Sequence, residues 1–400
     1  MFDHLFDLVS PQFVASVITI VVVIHAMLGA TAYLIMLERK TAAWIQDRIG
    51  PNRVGPAGLL QPIADGIKFM LKEDYTPPHV DRRLFLLAPM LAVIPAMIGW
   101  AVVPWGGYLQ WGEHVLNITA APVNIGVVFI LAVGSLAVYG VVLAGYASNN
   151  KYSFLGGLRA TAQMLSYEIP MGLAVLIVIL MHGTLRADYL VELQANNVWN
   201  IFYHPALGLI FFICLLAETN RAPFDLAEAE QELVGGYHTE YSSMKFALYF
   251  LGEYMHMITA SAFFTLLFLG GWDLPLVNEP MVGGLGLVAL KASVFSGKIL
   301  ALLFLMMWLR WSLPRFRFDQ LMRLAWRGLI PATLVLLLAA GLLVFFKPAD
   351  VSDTLWNFTH LGANILVVAA LLGIAPMMPS AKVHNRPVGL AGSRFSPLTR

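Results

Sequence analysis

The sequence predicts an all-α, polytopic membrane protein with about nine transmembrane helices and one further amphipathic helix on the membrane surface. Three observations carry that expectation. Hydrophobic residues make up 58% of the 400 and charged residues 12%, well below the roughly 25% charged that is usual in soluble domains. The apolar residues gather in long unbroken runs, and about 20 of them suffice to cross the hydrocarbon layer. The runs lack the alternation of barrel strands, and lipid offers no partner to free backbone groups, so the spans read as helices.

Nine segments qualify, at roughly 12–37, 84–104, 122–146, 161–181, 203–217, 244–271, 293–311, 328–346 and 356–377. The fifth is the shortest. Pro95 and Pro170 are expected to bend or delay the helices that carry them. The first run, from about Phe13 to Leu37, is too long for the apolar core of a cleaved leader and has no small-residue cleavage site behind it. Alternating the spans sorts the loops into two sets. One comprises 38–83, 147–160, 218–243, 310–327 and the tail after 378. The other holds only Arg186, Lys291, Lys298 and Lys347 of the 25 Lys and Arg, and the rest belong with the first set. Because Lys and Arg concentrate on the cytoplasmic side, the first set is expected to face inward, with the N-terminus outside (periplasmic) and the C-terminus cytoplasmic.

The inner loops are where chemistry can be placed. From Gly58 to Lys72 the residues Leu59, Leu60, Ile63, Ile67, Met70 and Leu71 form one helical stripe, with Gln61, Asp65, Lys68 and Lys72 on the other face. That pattern reads as a helix lying at the membrane surface. Asp65 adds nothing to membrane anchoring, and Arg39, Lys40, Arg48 and Arg53 crowd just ahead of the helix. A simple interfacial anchor is the plainer alternative.

The densest signal lies between Glu218 and Glu240. Six carboxylates, Glu218, Asp225, Glu228, Glu230, Glu232 and Glu240, stand there between two apolar runs. Glu228 and Glu232 are one helical turn apart and would share a face. Such clusters titrate as coupled sets and can hold and pass protons. Glu253 lies well inside the sixth span, with His256 one turn on and Tyr249 one turn back, and Glu168 lies near the inner end of the fourth. An ionisable group inside a span costs several kcal/mol and is a functional candidate by default. The plainer readings are a solvated acidic loop and structural glutamates neutralised by hydrogen bonds. His25, alone in the first span, reads as a core histidine. His182, His204 and His238 are too scattered to suggest a metal site.

Other chemistries are excluded or weak. One cysteine, Cys214, rules out a disulfide framework, a thiolate zinc site and an iron–sulfur cluster held by this chain alone. Gly284, Gly286 and Ala289 have dinucleotide-fingerprint spacing, but no strand is predicted ahead of them. Gly297–Lys298 is followed by Ile299 where a P-loop needs Ser or Thr. No Ser/His/Asp or Cys/His nucleophile arrangement stands out.

The stretch 38–73, RATAQMLSYE at 159–168, AETNRAPFDLAEAEQELVGGYHTEYSSMKFALYFLGEY at 217–254 and LPRFRFDQLMRLAW at 313–326 resemble the H subunit of proton-pumping NADH:quinone oxidoreductase, respiratory complex I. The likeness extends over about 12–346. It implies a membrane domain over 1–346; the final span and tail lie outside the match, and 347–400 reads as an additional C-terminal helix with a basic cytoplasmic tail found only in some members. It further implies a subunit at the junction of the membrane and peripheral arms, forming the chamber for a long-tailed quinone, ubiquinone or menaquinone. Helix 58–72 and the first and sixth spans would line the chamber entrance. By motif, Glu38, Arg39, Arg48 and Asp65 would belong to the chamber or its rim. Glu168, Glu218, Asp225, Glu228, Glu230, Glu232, Glu240 and Glu253 would form or flank the proton path, with Arg159 and Arg221 supporting. The implied partners are the peripheral-arm quinone-module subunits, neighbouring small membrane subunits and the lipid bilayer of a bacterial inner membrane, with no nucleic acid. No FMN, iron–sulfur cluster or metal is expected on this chain alone.

Three alternatives remain at this level. A secondary transporter also needs buried carboxylates and broken helices. The matching membrane subunit of a related hydrogenase or dehydrogenase assembly would look alike, although loop 38–83 is nearest the quinone-using members. A purely structural anchor would gain nothing from Glu168 and Glu253.

Overall fold

A computed structural model describes residues 10–226, 234–274, 280–348 and 353–374. The chain is a bundle of apolar helices. Helix α1 (Pro11–Ile45) has 35 residues. At 1.5 Å per residue it is about 53 Å long, against a hydrocarbon core of about 30 Å. It therefore runs on past Leu37, where apolarity alone ended the span, and carries Glu38, Arg39 and Lys40 on helix rather than loop. Helix α2 (Gln61–Leu71) is the surface helix, and it follows a tight turn at Pro56–Gly58. Helix α3 (Arg82–Ile98) starts at Asp81, whose carboxylate accepts from the amides of Arg83 and Leu84. Pro89 and Pro95 lie inside α3 without ending it.

The hairpin β1 (Tyr108–Trp111) and β2 (His114–Asn117) leads to α4 (Gly126–Ala147) and α5 (Lys151–His182). Helix α5 begins ten residues before the expected 161 and passes through Pro170 unbroken; Gly183, at φ 65°, ends it in the left-handed conformation. Then follow α6 (Ala187–Asn196), α7 (Asn200–Tyr203), α8 (Pro205–Glu218) and α9 (Ser243–Phe268). After β3 (Val282–Gly283) come α10 (Leu285–Ser312), α11 (Phe318–Arg323), a π-helical turn at Leu324–Leu329, α12 (Ile330–Phe345) and α13 (Asp353–Ile374).

The strands form one small sheet in the order β2-β1-β3, with β1 antiparallel to β2 and parallel to β3. The all-α expectation holds apart from this sheet. Contrary to the expectation, two strand residues do stand ahead of Gly284. They sit at the edge of this small sheet, which is no βαβ unit, so the fingerprint spacing has no dinucleotide setting.

Among the described residues, six helical stretches are both long and apolar enough to cross a membrane: Pro11–Ile45, Arg82–Val102, Gly126–Ala147, Lys151–His182, Leu285–Ser312 and Phe318–Phe345. The other three expected spans differ in kind. Helix α8 has 14 residues, α9 has 26 but carries Lys245, Glu253 and His256, and α13 is apolar over Trp356–Leu371. Many large apolar side chains face outward, among them Val22, Met90, Leu176, Leu300 and Leu338. In water such a surface would be unstable; in lipid it is the favourable one.

Helix α9 is the central post. Every residue from Met257 to Phe268 is buried, and α1, α3, α8 and α10 pack around it. Small residues let the helices meet backbone to backbone. A Cβ on Gly140 of α4 would lie 2.8 Å from the Ala92 nitrogen of α3, and one on Gly252 of α9 would lie 3.0 Å from the Ala92 carbonyl oxygen. These contacts draw α3, α4 and α9 together at the level where the acidic residues stand.

Candidate functional site

A cavity of about 560 Å³ opens between α1, α2, α9 and the end of α10. Its two kinds of wall follow from how each helix is patterned. Phe69 of α2 and Phe246, Phe250 and Leu251 of α9 supply apolar surface. Glu38 and Arg39 of α1, Arg48, Asp65, Arg221 and Arg310 supply charge.

Helix α2 contributes in an unusual orientation. Its apolar stripe faces outward, with Ile63 56% and Leu71 81% exposed, while Gln61, Asp65, Gly66 and Phe69 face the cavity. In a soluble protein the apolar stripe would turn inward. Here it points where lipid lies, and the polar edge becomes cavity wall. Asp65 anchors that edge. Arg39 Nη1 donates to Asp65 Oδ2 at 2.7 Å, Gln61 Nε2 donates to Asp65 Oδ1 at 3.1 Å, and Lys68 Nζ stands 3.7 Å away. Lys40 Nζ donates to the Ala57 carbonyl at 2.6 Å and ties α1 to the turn before α2.

The deeper charge cluster centres on Arg221, in the loop after α8. Its Nη1 donates to both oxygens of Glu38, at 3.1 and 3.2 Å. Its Nε lies 3.8 Å from Glu253 Oε1, and its guanidinium sits 4.3 Å over the Tyr254 ring. Arg310 also donates to Glu38. Burial opposes the charge on Arg221, yet Glu253 and then Glu38 outweigh it and hold its pKa above the ordinary arginine value. One buried carboxylate, Glu38, and one nearly buried, Glu253, thus share one buried guanidinium, with a partly exposed arginine beside Glu38. A buried charge is stable only when paired and hydrogen-bonded in this way.

The loop that carries Arg221 is fixed from behind. Gln163 Nε2, buried in α5, donates to the carbonyls of Ala217 and Phe224 at 2.8 and 2.7 Å. Asp225 accepts from Arg315 Nη2 at 2.9 Å, and the Phe316 amide donates to the Pro223 carbonyl at 3.1 Å. The segment after α10 therefore clamps the loop after α8.

A second, small void of about 40 Å³ lies on the far side of this cluster. Glu218, Glu253, His256, Tyr249 and Asn220 line it together with Ala92 and Ala137. Glu253 thus faces Arg221 on one side and shares a void with Glu218 on the other. Helix α4 passes close to Glu218, whose Oε1 would stand in ordinary contact, 3.6 Å, from a Cβ on Gly134.

The residues expected from sequence divide accordingly. Glu38, Arg39, Arg48 and Asp65 line the large cavity with Arg221. Glu218 and Glu253 meet at the small one. Glu168 lies on α5, half-buried. Glu240 accepts from Asn150 Nδ2 at 2.7 Å, and Arg159 lies over the Phe318 ring at 5.5 Å; neither lines the large cavity or the small void. Glu228, Glu230 and Glu232 lie outside the described residues. Sequence reasoning did not single out Arg310 or Tyr254. Arg310 had a signal, a cation in the last turn of an apolar helix followed by Trp311. Tyr254 had none beyond its place next to Glu253.

A cavity with a buried ion cluster at its inner end, set among helices long and apolar enough to cross a membrane, marks the class as a multi-pass membrane protein. Comparison with known proteins gives the family. A model of the family described as NADH dehydrogenase matches residues 18–341. The chain is 50% identical over 306 residues to the NADH-quinone oxidoreductase H subunit of Protochlamydia amoebophila, covering 76% of this chain and 90% of that one. It is 48% identical over 325 residues to the H subunit of Rhodospirillum rubrum, covering 81% and 92%. It is 47% identical over 304 residues to the H 1 subunit of Cytophaga hutchinsonii, covering 76% and 89%. The chain belongs to this family of complex I membrane subunits.

Proposed function

We propose that the 560 Å³ cavity is the chamber in which a quinone headgroup is reduced, and that Arg221 couples it to the buried glutamates. The observation that carries this reading is the sharing of Arg221 between Glu38, on the cavity wall, and Glu253, on the small void beyond. The apolar wall of Phe69, Phe246, Phe250 and Leu251 suits an isoprenoid tail, and the outward-facing stripe of α2 puts that wall at the lipid boundary.

Reduction of a quinone to quinol takes two electrons and two protons. This chain has one buried cysteine and no cluster ligands, so the electrons come from a neighbouring peripheral-arm subunit. The chain's own residues bind, orient and hold charge. Arg39 and Asp65 stand at the rim, and Glu38, between two arginines, faces the inner end. A change of charge in the chamber alters the pull on Arg221, and Arg221 alters the ease of protonating Glu253. From Glu253 the next acidic group in this reading is Glu218, across the small void, and Glu168 on α5, near enough to Glu218 to interact electrostatically, continues the series. Glu228, Glu230, Glu232 and Glu240 complete the path in this reading, with Asp225 and Arg159 holding its loop. The subunit sits in the bacterial inner membrane with its N-terminus periplasmic and its C-terminus cytoplasmic, as the positive inner loops support. Its partners are the quinone-module subunits and the small membrane subunits beside it.

Glu253→Gln tests the proposal in the assembled enzyme. The expected result is loss of proton pumping together with most quinone reduction, with the variant still assembled. Normal pumping per quinol formed would remove Glu253 from the path. A secondary transporter, by contrast, would translocate ions when purified alone; this chain is expected to be inert without its partners.

A further inference from the structure

Helix α13 begins beyond the matched region 18–341, yet it is docked on the bundle by buried polar groups at its centre. Asn364 is the twelfth of its 22 residues, about 17 Å from the helix start. The helix is about 33 Å long, so Asn364 stands at its middle. Asn364 is 2% exposed, and its Nδ2 donates to His204 Nδ1 at 2.7 Å and to the His360 carbonyl at 2.9 Å. The second bond fixes which amide atom is the nitrogen. His204 Nδ1 is therefore an acceptor, and its hydrogen sits on Nε2, beside the Met181 sulfur at 2.6 Å. His360, 1% exposed, lies with its ring 5.1 Å from that of His204, and Phe358 packs edge-on against Tyr203 at 5.1 Å. Trp356 Nε1 donates to the Leu343 carbonyl and joins α13 to α12.

What these residues cover is a break in the backbone. Helix α7 ends at Tyr203 and α8 starts at Pro205, with His204 between them at φ −130° and ψ 59°. Pro205 has no amide hydrogen to give the Ile201 carbonyl. Helix α8 has 14 residues, about 21 Å, and falls short of the hydrocarbon thickness of about 30 Å. One of its ends must lie inside the layer, where free backbone groups are tolerated only if protein covers them. Below the break Asn200 Nδ2 donates to the Leu267 carbonyl at 2.8 Å, and His182 Nε2 meets Asn200 Oδ1 at 2.8 Å. On the lipid side α13 packs against both α7 and α8.

We propose that α13 is a fixed seal over the interrupted α7–α8 junction, held in register by the bond between Asn364 and His204 and by the burial of His360. Two other roles for the histidines do not fit. Among the described residues no group of His, Cys, Asp and Glu is placed to hold a metal ion. Nor do the histidines continue the acidic series, because the buried residues of α8 between His204 and Glu218 are Leu207, Gly208, Phe211, Phe212, Cys214, Leu215, Leu216 and Ala217. The cluster is a lock, separate from the quinone chamber, and its test does not depend on the chamber reading.

The test uses the whole complex, with a protease site inserted at 349–352. After cleavage the segment from 353 onward is expected to stay bound through purification in mild detergent. Asn364→Leu with His360→Leu should release it, since a polar contact between membrane helices is worth about 3- to 15-fold in association. Hydrogen exchange gives the second readout. Deleting 347–400 should speed exchange in 199–205 about tenfold or more, the loss of a few such contacts, while leaving 126–147 unchanged. Release of the cleaved segment with Asn364 and His360 intact, or retention of the double variant at the parental level, would overturn the lock. Unchanged exchange at 199–205 on deletion would overturn the seal.

Discussion

Arg221 holds Glu38 by both carboxylate oxygens while its Nε edge faces Glu253 3.8 Å away. One guanidinium thus spans two acids on two different helices. Lysine is a point charge and cannot present two edges. Arg221→Lys is expected to assemble but to lose most coupled quinone reduction. Arg221→Gln leaves buried acids short of a counter-charge, at a cost of about 3–5 kcal/mol, and should also lower the amount of assembled complex. Native gels and quinone reductase rates in membranes check both; a fully active Arg221→Lys would show that the two-edged contact is dispensable.

The Arg39–Asp65 pair should separate function from stability. Arg39 is 47% exposed and Asp65 19%, so the pair contributes no more than about 1 kcal/mol to stability. Asp65→Asn is expected to leave thermal stability unchanged and to raise the KM for quinone, because Arg39 and α2 lose their fixed positions at the rim. An unchanged KM would take Asp65 out of the chamber.

Helix contacts made through glycine give a sharper stability test. A Cβ on Gly140 would stand 2.8 Å from a backbone nitrogen and 3.0 Å from a backbone oxygen of α3, whereas nothing lies within 4 Å of one on Gly172. Gly140→Val should cost about 1–3 kcal/mol by overpacking and displace Ala92 from the small void. Gly172→Ala should be silent. Comparing the thermal stability of the two complexes checks the difference.

Near the start of α6 stands a brace whose pH response can be worked out. Asp188 accepts from Arg186 Nη2 at 2.6 Å and from Asn117 Nδ2 at 3.0 Å, and Asn117 is bonded twice through its backbone to the Gln12 side chain of α1. Burial pushes the Asp188 carboxyl up, but Arg186, the Tyr189 amide and Asn117 together pull it below its ordinary 3.8. The group with the depressed value stabilises the fold above the ordinary value and loses that contribution as pH falls through the lowered one. Between about pH 8 and 5 the brace should therefore be insensitive to pH. Asp188→Asn should weaken it by about 1 kcal/mol, seen as faster hydrogen exchange in 114–117.

The sequence made some of this legible and hid the rest for physical reasons. Apolar runs located the helices but not their ends, because helices such as α1 and α5 continue past the lipid into polar surroundings where composition changes and backbone does not. The α2 stripe was visible as a period, while the direction it faces depends on the neighbours that complete the cavity. Asp65 stood out as an acid with no anchoring value, whereas Glu38 and Arg221 were marked by the family resemblance alone. That Glu38 pairs with Arg221 and Arg310 was not legible, since they come from 183 and 272 residues away. His204 read as a scattered histidine and His360 was not singled out, because Asn364 reaches His204 from 160 residues away.

The surface helix has one further consequence. Six side chains of its segment, Leu59, Leu60, Ile63, Ile67, Met70 and Leu71, are between 47% and 81% exposed, so the solvent of the bilayer is itself a structural support for that wall. Stripping phospholipid with harsh detergent removes the support without breaking a covalent or ionic contact. Enzyme prepared that way should regain its turnover when phospholipid is added back, and the regained fraction measures how far the wall had drifted.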